Sequence, residues 1–182
     1  GSGGSELLAQ ADLETVRERV GWYDLQERLG SGAMPDGTGI GVLQCEASGA
    51  GNSWIPDLDD ASRYGGKDFT IPFGNPTTSS HANTVATGFY SNNGSIAPGV
   101  GNIWLYDANT FVTNGYLNLG QASSVPPIQS PDESIRVHNH SWIGQFNNGN
   151  DNLAMRRMDF MSIRDNILVV NGTNNGGSAS HL

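Results

Sequence analysis

Gly39-Ile40-Gly41-Val42-Leu43-Gln44-Cys45-Glu46-Ala47-Ser48-Gly49 is the stretch from which the rest of the chain is read. Ile40 to Cys45 is a short apolar run of the kind that forms a buried strand. Glu46 ends it, and small residues follow as far as Gly51, a loop with little steric constraint. Three further runs repeat the plan. Ile103-Trp104-Leu105-Tyr106 predicts a second strand, Ile135 to Trp142 a third that turns polar where it ends, and Ile167-Leu168-Val169-Val170 a fourth that runs into Asn171-Gly172-Thr173-Asn174-Asn175-Gly176-Gly177. A helix is predicted after Ser79-Ser80-His81, with Ala82, Val85, Ala86 and Phe89 as its apolar face. Another is predicted over Asp151 to Arg164, carried by Leu153, Met155, Met158, Phe160, Met161 and Ile163. Strands separated by helical or long crossovers argue for an α/β fold with a mostly parallel central sheet. In such sheets chemistry collects at the carboxyl ends of the strands, where Glu46, Ser141 and Asn174 stand, while His81 opens a helix.

The remaining segments are connections. Between Glu6 and Leu29 apolar residues fall at helical spacing with a break at Gly21, which predicts two short helices. Residues 30–39, 52–80 and 115–131 read as surface loops, the last with one turn of helix at most. Gly1-Ser2-Gly3-Gly4-Ser5 has the composition of an appended linker. With 182 residues there is room for one domain with a core, and 25 glycines beside only 15% charged residues point to a loop-rich globular chain rather than a helical bundle. The formal charge of −9 opposes binding to phosphate backbones, so no nucleic acid partner is expected. No apolar stretch approaches the roughly 20 residues needed to span a bilayer. Cys45, as the one cysteine, excludes an internal disulfide and a cysteine-based zinc cluster.

The candidate chemistry lies in dispersed polar residues: Glu46, His81, Asn139, Ser141 and Asn174. An imidazole can take a proton from an attacking hydroxyl, a carboxylate on its other ring nitrogen fixes the tautomer, and an amide donor can stabilise an oxyanion. Cys45 points away from Glu46 on a strand and reads as packing. His138 and His140 alternate on a strand without a matching carboxylate or cysteine, and read as packing of that strand rather than as metal ligands. Trp54, Trp104 and Trp142 read as core or cleft wall. Asp57, Asp59 and Asp60 lack the regular spacing of a recognised calcium loop and read as solvated surface.

Five elements in order resemble the subtilisin-like serine peptidases. Residues 39–49 resemble the strand and turn that deliver the family's catalytic Asp, with Glu46 at that position. Ser80-His81-Ala82-Asn83-Thr84-Val85-Ala86-Thr87-Gly88 resembles its His-Gly-Thr-His-Val-Ala-Gly element, with His81 at the catalytic histidine. Ala97-Pro98-Gly99-Val100-Gly101 followed by Asn102 to Tyr106 resembles the next strand with its Gly-Val-Ala-Pro-like opening. Val137 to Gly144 is similar to the Asn-x-Ser-x-Gly strand, and Val169 to Gly176 to the Ala-Ala-Gly-Asn-x-Gly loop, with Asn174 at the oxyanion asparagine.

The resemblance covers about residues 36–177. It implies a subtilisin-like sheet with helices on both faces, in which 6–38 form a helical lead-in and 39–182 the N-terminal part of a peptidase domain. It also implies that the backbone of Ser141, Trp142, Ile143 and Gly144 receives an extended peptide or protein substrate. Glu replaces Asp, as in the related sedolisins, and Ala82 replaces a glycine. The family's Gly-Thr-Ser-x-Ala-x-Pro element does not occur, and Ser178 and Ser180 follow the Asn174 loop too closely to stand for its serine. The expectation is therefore a fold incomplete without a C-terminal segment or second chain that carries the nucleophile, produced by cleavage near Leu182 or as a separate gene product. The implied activity is an autoprocessed serine endopeptidase with a Glu-His-Ser triad. The alternative is a catalytically inactive scaffold that binds peptide or protein partners. No cofactor is required for this chemistry, structural calcium is the metal that the family's loops sometimes hold, and the resemblance implies a secreted or cell-envelope protein of a bacterium.

Overall fold

The computed structural model describes residues 14–121, 127, 132–144 and 151–172. Residues 14–19 are helical (α1), and α2 spans Trp22–Leu29. Between them Gly21 sits at φ 72°, a left-handed conformation that breaks the helix where the sequence reading places the break. Five strands then form one sheet: β1 (Gly41–Glu46), β3 (Asp68–Thr70), β5 (Asn102–Asp107), β6 (Ile135–His140) and β7 (Leu168–Asn171). Their order is β3-β5-β1-β6-β7, and every pairing is parallel. A separate parallel pair joins β2 (Ser53–Ile55) to β4 (Thr77–Thr78). The helices between strands are α3 (Ala61–Tyr64), α4 (Ser80–Tyr90), α5 (Ala108–Thr113) and α6 (Asp151–Asp165). Among the described residues no helix is long and apolar enough to cross a membrane.

β1 is the central strand, and all six of its residues are buried because neighbours flank both edges and side chains cover both faces. Leu43 and Cys45 point to one face, into a layer formed with Tyr106, Phe111, Tyr116, Met158 and Met161 from β5, α5, the turn after it and α6. Val42 points to the other, with Ile103 and Leu105 of β5 and Ala86 and Tyr90 of α4. Gln44 and Glu46 share that second face by alternation. Gly41 is required where β6 begins. A Cβ there would lie 2.6 Å from Ser134 Oγ and 3.1 Å from the Ile135 nitrogen, at the point where the β1–β6 register shifts.

Helix α4 starts where Ser79 Oγ accepts from the Ala82 N–H. Its buried stripe is Ala82, Ala86 and Tyr90, four residues apart; Val85 and Phe89, expected on the apolar face, are only half-buried. Two alanines let the helix lie close to the sheet.

Residues 52–80 are not the surface loop that the sequence predicts. They supply β2, α3, β3 and β4, and they bury Trp54, Ile55 and Tyr64. β3 has three residues, Asp68-Phe69-Thr70, and is held only along β5, so no periodicity could announce it. Helix α5 was likewise not expected; Asp107, at the end of β5, caps it by accepting from the Thr110 N–H.

The second face is covered unevenly. α4 covers it over β1 and β5, whereas on β6 and β7 the same face carries Val137, Leu168 and Val170, the last two 63% and 45% exposed.

On the first face His138 and His140 are fully buried among Phe111, Tyr116 and Trp142. Trp142 Nε1 donates to His140 Nδ1, a contact that requires an unprotonated Nδ1. Burial pushes His138 well below the usual imidazole range and His140 down to about 3. Asp165 opposes the shift of His138. The unfolded chain binds protons near pH 6.5 that the folded chain refuses, so stability present above that pH is lost as pH falls towards 3. For His140 we expect a loss of about 1.4 kcal/mol per pH unit over that window, and His138 adds in the same direction. Chemical denaturation between pH 7 and 4.5 should show a shallower pH slope for His140→Gln, which keeps an acceptor for Trp142; an unchanged slope would refute this.

Candidate active site

Glu46 is the last residue of β1, and its carboxylate lies under the first turn of α4, 1% exposed. Its Oε1 accepts from Gln44 Nε2 at 2.8 Å, and its Oε2 lies 3.3 Å from His81 Nε2. His81 is the second residue of α4, so the Ser79 cap that starts the helix also sets where the imidazole leaves the backbone. The imidazole is 62% exposed. The same Nε2 lies 3.1 Å from the carbonyl oxygen of Ser141. A carbonyl only accepts, so Nε2 carries the proton and Nδ1 holds the lone pair. The Ser141 carbonyl fixes this tautomer, which leaves Nδ1 as the basic nitrogen, while Glu46 Oε2 lies at ion-pair distance without accepting a hydrogen bond.

Glu46, His81 and Ser141 thus come from three distant segments to one rim of the sheet. Ser141 follows β6 directly; its N–H donates to the Cys45 carbonyl and its Oγ accepts from Asn139 Nδ2. Of the other residues expected to receive substrate, Ile143 has an exposed side chain and Gly144 lies against the Trp142 ring. The Trp142 side chain is buried on the first face beside His140, so only its backbone can face a groove. Asn174, Ser178 and Ser180 lie outside the described residues. The described chain ends at Gly172, whose N–H donates to the His140 carbonyl.

Burial raises Glu46 to about 7, against the Gln44 hydrogen bond and the charge of His81, which both lower it. This contribution runs opposite to that of the buried histidines: it is fully present below the unfolded carboxylate value and is lost as pH rises through about 7. Cys45 faces away from the rim and is fully buried, which pushes its thiol well up. It cannot serve as nucleophile. Among the described residues no hydroxyl or thiol is hydrogen-bonded to His81, and no group of three or more metal-ligating side chains could hold an ion. In the acidic stretch Asp57 to Asp60, Asp60 is occupied as the α3 cap, accepting from the Ser62 and Arg63 N–H groups.

Gln44 and Tyr90 belong to the site but were not singled out from sequence. Gln44 sits two residues before Glu46 and so on the same face; its polarity inside an apolar strand was the available signal.

No family model matches the chain, and no curated protein or solved structure matches it.

Replacing His81 with Ala removes the imidazole that, when protonated, favours the Glu46 carboxylate. The midpoint of Glu46, followed by carbon NMR, is expected to rise by roughly half a unit above its starting value, the effect being moderated by the exposure of the imidazole. A fall would show that His81 does not act on Glu46.

Proposed function

We propose that the chain is the base-bearing part of a subtilisin-like serine endopeptidase whose nucleophilic serine lies on a further segment of polypeptide. The observation that carries this reading is the convergence of Glu46, His81 and the Ser141 carbonyl at the carboxyl rim of a parallel sheet; the imidazole presents Nε2 to the carboxylate and leaves Nδ1 basic, the reverse of the serine-peptidase template, in which the carboxylate holds Nδ1 and Nε2 is the base. Among the described residues Leu168 and Val170 lie exposed on the second face, which supports it: a further segment packed there would give them apolar cover.

In the proposed reaction, His81 Nδ1 takes the proton of the serine hydroxyl as its oxygen attacks the scissile carbonyl, then returns it to the leaving amine. The Ser141 carbonyl holds Nε2–H throughout, and the Glu46 carboxylate beside it stabilises the imidazolium. Asn174 is the proposed donor to the oxyanion. An extended peptide would run along the backbone of 141–144. The absence of a hydroxyl on His81 among the described residues favours a second reading, an inactive scaffold that holds peptide in the same place.

A fluorophosphonate probe, applied to the chain with the segment that copurifies with it, separates the two. Label is expected on a serine of that segment, and it should disappear with His81→Ala. Labelling that survives His81→Ala removes the base assignment; no labelling of any serine selects the scaffold.

In the assembled enzyme, kcat/KM should climb with pH as Glu46 ionises through about 7. Glu46→Gln should lower kcat by on the order of 10⁴-fold and abolish that limb. A limb that persists in Glu46→Gln belongs to some other group.

A further inference from the structure

Gln44 is 1% exposed and uses both N–H bonds and its carbonyl oxygen within the fold. Nε2 donates to Glu46 Oε1 at 2.8 Å and to the Ala82 carbonyl at 3.1 Å, while Oε1 accepts from the Tyr90 hydroxyl at 2.5 Å. Turning the amide over would set its carbonyl oxygen against two groups that only accept, and its NH₂ against a hydroxyl that now donates. Its orientation is therefore fixed by its neighbours. Tyr90, at the far end of α4 and fully buried, is set in turn by ring contacts with Tyr64, Phe69 and Phe89.

We propose that Gln44 and Tyr90 are positioning residues of this site: Tyr90 anchors the Gln44 amide oxygen, and the amide holds the Glu46 carboxylate at ion-pair distance from His81 Nε2. What that alignment accomplishes in catalysis rests on the peptidase reading; the alignment itself does not. The physical need is clear from the surroundings. A carboxylate removed from water is unstable without donors. His81 and Tyr90 face Glu46 from α4, Tyr64 stands behind Tyr90 on α3, Asp107 is its register partner on β5, and Asn139 of β6 stands opposite Gln44. Asp107 is occupied as the α5 cap, and His81 is largely in solvent. The Gln44 amide is the dry donor that favours the ionised form, and it also ties β1 to the first turn of α4 through the Ala82 carbonyl. The same residue thus sets the charge of the carboxylate and the height of the helix that carries the imidazole.

The test is a carbon NMR titration of Glu46 in the intact chain labelled at glutamate. Gln44→Met keeps length and apolar packing but removes the donor, and is expected to raise the Glu46 midpoint by about one pH unit. Tyr90→Phe keeps the ring among its aromatic neighbours and leaves the buried Gln44 Oε1 without its donor, loosening the amide; it should shift the midpoint in the same direction by less. An unmoved midpoint in folded Gln44→Met overturns the proposal. Movement there but none in Tyr90→Phe removes Tyr90 from it. If Gln44→Met does not fold, Tyr90→Phe carries the decision alone. Absence of serine labelling in the assembled protein would strike the peptidase reading and leave the titration result standing, so the two can fail separately.

Discussion

A central parallel strand buried on both faces must satisfy its own polar side chains from within the protein, and β1 carries two of them, Gln44 and Glu46. Everything at the rim follows from that requirement. The carboxylate needs donors; the strand supplies one through Gln44, and α4 brings the His81 imidazole to ion-pair distance of the other oxygen. α4 can lie close enough to do so because the residues it presents to the sheet next to the site are Ala82 and Ala86. Its start is fixed by Ser79, one residue before the helix and two before the imidazole. Fold and site are thus two outcomes of one desolvated carboxylate.

The elements that were legible in the sequence are those with a private signal. β1, β5, β6 and β7 announce themselves as apolar runs, and α4 and α6 by spacing; α4 adds a serine cap. The elements that were missed have no such signal. β3 is three residues long with two of them polar, and its strand character comes from β5 beside it. β2 and β4 pair only with each other across more than twenty residues. α5 is built from Ala-Asn-Thr-Phe-Val-Thr, a sequence with weak helical preference, and is held in place by its Asp107 cap and by Phe111 in the core.

The candidate site was legible to a similar degree. Glu46, His81 and Ser141 could be named because they stand at the ends of readable elements, and topology then brings those ends together. Which imidazole nitrogen meets the carboxylate was not readable, since it depends on where the Ser141 carbonyl falls after β6. Gln44 reads as one residue of an apolar strand and Tyr90 carries no signal of its own; their hydrogen bond spans 46 positions of sequence. Trp142 was placed near substrate by its position in the chain, but alternation carries its indole through to the opposite face.

That indole has a wider consequence. Trp142 hangs from His140 on one side of the sheet, while the carbonyl immediately before it receives the imidazole of His81 on the other. The two layers share no side chain, yet they meet in the backbone of a single dipeptide. A replacement in the aromatic layer, such as at Phe111 or Tyr116, could therefore retune the rim without approaching it. Inherited variation in that layer would be a quiet route for adjusting the rim while Glu46, His81 and Ser141 stay the same.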